Sequence, residues 1–208
     1  MISLVCFDLD GVLVDTVDWH YQSFNKAMKL VTGGDFITRE EQEAFFDGRP
    51  STVKLQKLMF HGRVRSQEDA DEIAALKSRY FSDMVREADL HDLTKIGLML
   101  SLKENGYKIA VVSNCNFLNT TLLLDCVGVL NIIDLRISAS DVDNPKPSPE
   151  GYLRAMAQLG GTPDTTIIFE DSKVGLEAAT LSGAYIVPVR SVKEVTWPWV
   201  MSKIRSVQ

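Results

Sequence analysis

Four short, almost wholly apolar runs punctuate the chain: Leu4 to Phe7, Ile109 to Val112, Ile167 to Phe169 and Tyr185 to Val189. Apolar runs of this length, bounded by polar or turn residues, predict buried strands. A weaker run lies near Leu135 to Ser138. Helical patterns separate the later runs: Leu93 to Asn105, Leu118 to Cys126, Tyr152 to Leu159 and Val174 to Ser182. Each is followed within a residue or two by a glycine (Gly106, Gly128, Gly160, Gly183), the residue that suits a left-handed helix end. Strand alternating with helix predicts an α/β fold, a Rossmann-like parallel sheet flanked by helices on both faces.

The stretch 15–91 breaks that alternation. It holds no convincing strand and reads as helices over Val17 to Leu30, Thr38 to Phe46, Ser51 to Phe60 and Ser66 to Glu87. Thr38 and Glu41 have the spacing of a capping box, and Gly33-Gly34 and Gly48-Arg49-Pro50 punctuate the pattern. The expected organisation is an α/β core from residues 1–14 and 92–208, with a helical domain of residues 15–91 inserted after the first strand. Near the C-terminus, Val200 to Val207 fits a short helix with Pro198 in its first turn, and Trp197 and Trp199 fit aromatic anchoring of the tail on the core.

Composition narrows the chemistry. In 208 residues, 28 acidic and 22 basic side chains give a net charge of -6. That excludes a general nucleic-acid binder, which needs a basic surface. An anionic substrate would need locally placed positive charge. Three cysteines without a C-x-x-C pair argue against a disulfide framework or a zinc cluster and fit a reducing compartment. No apolar run approaches the ~20 residues of a membrane span, and the N-terminus lacks the basic region of a signal peptide. A cytoplasmic protein without membrane or nucleic-acid partners is expected.

Polar residues recur where the strands end. Asp8 and Asp10, followed by Gly11, stand directly after the first strand. In a parallel sheet, ligands bind beyond the carboxyl ends of the strands, and two neighbouring acids there repel unless a cation or proton holds them. Ser113-Asn114 follows the second predicted strand and suits phosphate oxygens. Glu170-Asp171 follows Ile168-Phe169, and a second acidic pair suits an all-oxygen site for a hard cation. Lys146 lies between Pro145 and Pro147, which restrict the local backbone and can aim an ammonium. Each feature alone is also what an ordinary turn looks like; their recurrence at successive strand ends is not.

The order strand-DxDG, strand-SN, PKPSPE, strand-ED resembles the haloacid dehalogenase-like hydrolase superfamily, in the branch of β-phosphoglucomutase and small-molecule phosphatases. The helical insert stands where that branch carries its cap. The resemblance implies a Mg²⁺-dependent phosphatase that forms a phosphoaspartate on Asp8 and acts on a small phosphorylated metabolite, such as a sugar phosphate. It casts Asp10 as general acid and base, and Ser113, with Asn114, as holder of the phosphoryl oxygens. It casts Lys146 as the cation shared by Asp8 and the phosphoryl group. Asp8, Asp171 and the main-chain carbonyl of Asp10 would bind the metal, with Glu170 supporting it directly or through water.

In the cap, the resemblance places His20 at the entrance, Lys77 on the substrate side and Arg49 in a specificity loop. The Ser-Arg pair that phosphosugar mutases carry after the cap glycine is not met by Gly48-Arg49-Pro50-Ser51-Thr52, which favours hydrolysis. The alternatives are a phosphosugar mutase and a non-catalytic phospholigand-binding protein. A monomer or weak homodimer is expected.

Overall fold

A computed structural model describes residues 1–207. These form two compact units. One joins Met1–Asp15 to residues 89–207, and the other is Thr16–Ala88.

The first unit is built on five strands: β1 (Leu4–Phe7), β2 (Lys108–Val112), β3 (Leu135–Ile137), β4 (Thr166–Glu170) and β5 (Tyr185–Pro188). All pair in parallel, in the order β3-β2-β1-β4-β5. β1 is the middle strand, and the chain moves outward from it in one direction to β3 and in the other to β5. That reversal makes the carboxyl ends of β1, β2 and β4 the place for a ligand. The Leu-Val-Cys-Phe sequence of β1 is buried throughout, as a central strand covered on both faces requires.

Side chains alternate along each strand. Leu4 and Cys6 of β1, Ala110 and Val112 of β2 and Ile168 of β4 share one core cluster. Tyr152, Ala155 and Met156 come to it from helix Glu150–Leu159, and Ala178 and Ala179 from helix Lys173–Ser182. On the other parity, Phe7 stacks on Phe169 with centroids 5.1 Å apart, and Phe169 meets Trp199 at 5.6 Å. Trp199 belongs to the last helix, Trp197–Ser206, which carries Pro198 in its first turn. A buried lysine, Lys95, helps to tie down the segment before that helix. Its Nζ donates to the carbonyls of Val192 and Val195, each at 2.9 Å.

The second unit is helical: α1 (Val17–Thr32), α2 (Arg39–Glu41), α3 (Ser51–Phe60) and α4 (Gln67–Glu87). Thr38 and Glu41 form the expected capping box. The expected single helix from Thr38 to Phe46 is instead one turn of α-helix that continues as a π-helical stretch, Gln42–Phe46. The wider winding turns Gln42 and Phe46 inward and leaves Glu43, Ala44 and Phe45 exposed. Phe24, Met28, Leu55, Leu58 and Ile73 fill this unit's own core.

An ion cluster closes the α1–α2 loop. Arg63 donates Nε and Nη2 to the two oxygens of Asp35, each at 2.9 Å, and Nη1 to Glu41 at 2.7 Å. The Arg63 bonds hold the Asp35 carboxyl below its ordinary value. A carboxyl lowered in the folded state stabilises it above the unfolded value and loses that contribution as pH falls through the folded value. The stability of this unit is therefore expected to drop on acidification below about pH 4, the ordinary carboxylate range. Arg63→Ala should cost about 1–2 kcal/mol at pH 7, and the variant's acid sensitivity should be weaker. Urea unfolding at pH 7 and pH 3 checks both.

Candidate active site

The polar residues singled out at the strand ends converge in the first unit. Asp8 follows β1 with the parity of Leu4 and Cys6, and Glu170 ends β4 with the parity of Ile168, so both carboxylates reach the same side of the sheet. The Asp8 N–H donates to the Phe169 carbonyl at 2.9 Å, continuing the strand pairing up to the catalytic candidate. Between them lies Lys146. Its Nζ donates to Asp8 Oδ1 at 2.5 Å and to Glu170 Oε2 at 2.6 Å, and the ammonium is almost fully buried.

Several bonds aim this lysine. Asn114, at the end of β2, accepts the Lys146 N–H at its Oδ1 and donates its Nδ2 to the Lys146 carbonyl, both at 3.0 Å. These bonds span 32 residues of sequence. The resemblance cast Asn114 as a phosphoryl ligand; its side-chain amide is here bound to the lysine's backbone. Ser113 stands next to it, buried, with its Oγ accepting the Cys115 N–H at 3.0 Å. The hydroxyl proton is the part left to offer an anion.

Glu170 is fully buried and surrounded by donors. Oε1 accepts Asp171 N, Ser172 N and Ser172 Oγ at 3.1–3.2 Å. Oε2 accepts Lys146 Nζ and the hydroxyl of Tyr152, the latter at 2.7 Å. A carboxylate so fully hydrogen-bonded is fixed in place, and Lys146 is among the donors that it holds. Glycine makes its place: a Cβ on Gly175 would fall 2.0 Å from the Glu170 carboxylate. Gly175→Ala is expected to displace Glu170, cost about 3 kcal/mol or more by this forced clash and broken network, and lower turnover with it. Thermal unfolding beside an activity assay measures both.

Asp171 completes the cluster. Ligand atoms of Asp8, Glu170 and Asp171 all lie within 4.8 Å of one another. Asp171 Oδ1 is buried and accepts no hydrogen bond. Burial first, and then the Glu170 charge, pushes the Asp171 carboxyl up to about 7. Burial also raises Asp8, helped by the Glu170 charge and opposed by Lys146. Burial disfavours the Lys146 charge, but Asp8 and Glu170 outweigh it and hold the ammonium above the ordinary lysine range. One cation thus faces three carboxylates. An orphaned buried acceptor in an all-oxygen donor set fits a hard divalent cation. The neighbouring turn leaves no space to spare: Gly11 has φ +84°, and a Cβ there would lie 1.9 Å from Asp171 Oδ2.

Asp10 sits in the turn after β1, apart from this carboxylate cluster, where the Cys115 thiol donates to its Oδ2 at 3.1 Å. Neither Cys115 nor Tyr152 stood out in the sequence as a site residue. In the helical unit, His20 of α1 and Lys77 of α4 come together, with Nζ and Nδ1 2.8 Å apart. The His20 ring stacks on Phe81 at 4.0 Å. With the lysine charged, its ammonium can only donate, which would make Nδ1 the acceptor and leave the ring's own proton on Nε2. Arg49 is exposed in the turn before α3, its N–H bonded to the Phe46 carbonyl.

A strand-end cluster of one lysine and three acids on a parallel 3-2-1-4-5 sheet defines a class, and comparison with known proteins gives it a family. The chain belongs to the haloacid dehalogenase-like hydrolases, whose family model matches residues 5–189. It is 31% identical to "Probable phosphatase IndB" of Dickeya dadantii over 88% of this chain and 79% of that protein. It is 25% identical to validoxylamine A 7'-phosphate phosphatase of Streptomyces hygroscopicus subsp. limoneus, over 96% of this chain and 99% of that one. The fold is shared with the crystal structure of a β-phosphoglucomutase from Clostridium difficile, with a TM-score of 0.83, 24% identity, and coverage of 99% and 98% of the two chains. The protein is thus a hydrolase of a family whose named members include phosphatases. No helix among the described residues is long and apolar enough to cross a membrane.

Proposed function

We propose that this protein is a Mg²⁺-dependent phosphatase that hydrolyses a small phosphorylated metabolite, a sugar phosphate or similar, through a phosphoaspartate on Asp8. The observation that carries the proposal is Lys146 Nζ held between Asp8 and Glu170, beside the unpartnered oxygen of Asp171. An anionic nucleophile facing an anionic ester needs this positive charge at the point of attack. The two relatives named as phosphatases support the reaction type.

In the first step an Asp8 carboxylate oxygen forms a bond to phosphorus, and the bond from phosphorus to the leaving oxygen breaks. Asp10 gives that oxygen its proton. In the second step water attacks the phosphorus, gives a proton back to Asp10, and the Asp8–phosphorus bond breaks to release inorganic phosphate. Splitting one displacement into two is the advantage of a covalent carboxylate. Lys146 neutralises the Asp8 carboxylate and the equatorial oxygens, and the Ser113 hydroxyl donates to one of them. Asp8 and Asp171 would hold the Mg²⁺, which when bound supplies further neutralisation of phosphoryl charge. Within the helical unit, the His20–Lys77 pair and Arg49 are the candidates for choosing the organic part of the substrate.

Phosphate release from a panel of sugar phosphates, nucleotides and aryl phosphates, with Mg²⁺ and with chelator, tests the reading. Release that chelator abolishes and Mg²⁺ restores is expected. Folded protein that releases phosphate from none of them would overturn it.

A further inference from the structure

Tyr152 is the buried polar group that the proposed chemistry leaves without a task. It lies on helix Glu150–Leu159, six residues beyond Lys146, and is fully buried. Its surroundings on that side of the sheet are apolar: Leu4, Cys6, Ala110, Val112 and Ile168. A phenylalanine would fill the same space without a buried hydroxyl to satisfy. The hydroxyl is satisfied in one way, by donating to Glu170 Oε2 at 2.7 Å. That is the oxygen that accepts Lys146 Nζ at 2.6 Å. The ammonium also lies 4.9 Å from the Tyr152 ring centroid, within reach of its π face.

We propose that Tyr152 is a positioning residue for Lys146: by sharing Glu170 Oε2 it keeps the ammonium from passing wholly to Glu170 and preserves its second bond, to Asp8. A carboxylate oxygen has two lone-pair directions. With the tyrosine on one, the lysine is left the other, and from there its Nζ also donates to Asp8 Oδ1 at 2.5 Å. Without the hydroxyl, Oε2 carries more uncompensated charge and both directions are open to the ammonium. Lys146 then moves toward Glu170 and away from the reacting atoms. The segment is built for this, because Asn114 clamps the Lys146 backbone while the following helix brings up the tyrosine. Gly151 allows the approach, since a Cβ there would fall 2.7 Å from Val112 Cγ1 on β2.

The inference rests on the phosphatase reading for its kinetic readout and on geometry alone for its structural one. Tyr152→Phe is expected to lower kcat for p-nitrophenyl phosphate with Mg²⁺ about tenfold, the order of one lost hydrogen bond to a charged group, while KM stays within twofold. In a Glu170→Gln background the same change should alter kcat less than twofold, because it acts through the Glu170 charge. A crystal structure of Tyr152→Phe should show Lys146 Nζ withdrawn from Asp8 beyond hydrogen-bond distance. An unchanged kcat, an equal tenfold loss in both backgrounds, or a crystal structure with the Lys146–Asp8 contact intact would overturn the proposal. If the parent protein turns over no phosphate ester, the phosphatase reading fails, and the Lys146 position in parent and Tyr152→Phe crystals still decides this one.

Discussion

Asp8→Asn is expected to leave a folded protein that releases phosphate at least about 10⁴-fold more slowly than the parent, the scale of loss seen when a covalent nucleophile is removed. The amide is a far weaker nucleophile than the carboxylate, and the Lys146 ammonium keeps an oxygen to bind. Folding should not suffer. One lysine faces the carboxylates of Asp8, Glu170 and Asp171, so neutralising Asp8 relieves repulsion while Glu170 remains paired with Lys146. The unfolding midpoint in chelator is therefore expected to hold or rise. Parallel measurements of phosphate release and thermal unfolding separate the two effects. A variant that retains a tenth of the parent rate would remove Asp8 from the nucleophile's role.

Lys146→Met should damage both activity and stability. The side chain is almost fully buried, and methionine approximates its volume without its charge. Losing one electrostatic partner of the phosphoryl group is worth about 10²–10³ in rate. Removing the single cation of a buried cluster leaves carboxylates without compensation, which costs about 3–5 kcal/mol. Added Mg²⁺ is expected to return part of the stability and little of the rate, because a cation at Asp171 offsets carboxylate repulsion but does not stand where the ammonium stood. Urea unfolding in chelator and in Mg²⁺, beside steady-state rates, measures this. A loss below 1 kcal/mol with turnover within threefold of the parent would contradict the role assigned to Lys146.

The strands and their motifs were readable from the sequence for a physical reason. Strands covered on both faces are continuous apolar runs, so Leu4–Phe7 and Ile167–Phe169 stand out, and with them the polar residues that follow. β3 is weaker because Leu135 and Arg136 are only half-buried, which dilutes the apolar signal. The π-helical stretch at Gln42–Phe46 leaves no mark that distinguishes it from an α-helix by pattern.

Within the site, residue types pointed to phosphoryl chemistry, but the contacts that distribute the work were out of reach. Asn114 and Lys146 are 32 residues apart, and their mutual bonds join the end of β2 to the loop that follows β3. The donors that surround Glu170 were equally out of reach, since nothing in a sequence counts the hydrogen bonds around a carboxylate. Tyr152 entered only as the first residue of a helical pattern, because such a pattern does not report the hydrogen bond of a hydroxyl. The His20–Lys77 contact joins two helices whose facing is set by their shared core. Residue spacing on either helix alone does not specify it.

Chemical trapping of the covalent intermediate tests the central claim most directly. The protein would be mixed with its best phosphate ester and Mg²⁺, quenched in acid during turnover, reduced with borohydride and mapped by peptide mass spectrometry. Borohydride converts an acyl phosphate of aspartate to homoserine. The prediction is homoserine at position 8, dependent on substrate and on Mg²⁺ and missing from Asp8→Asn. Full phosphate release with an unmodified Asp8 at every quench time, or homoserine at another aspartate, would contradict it.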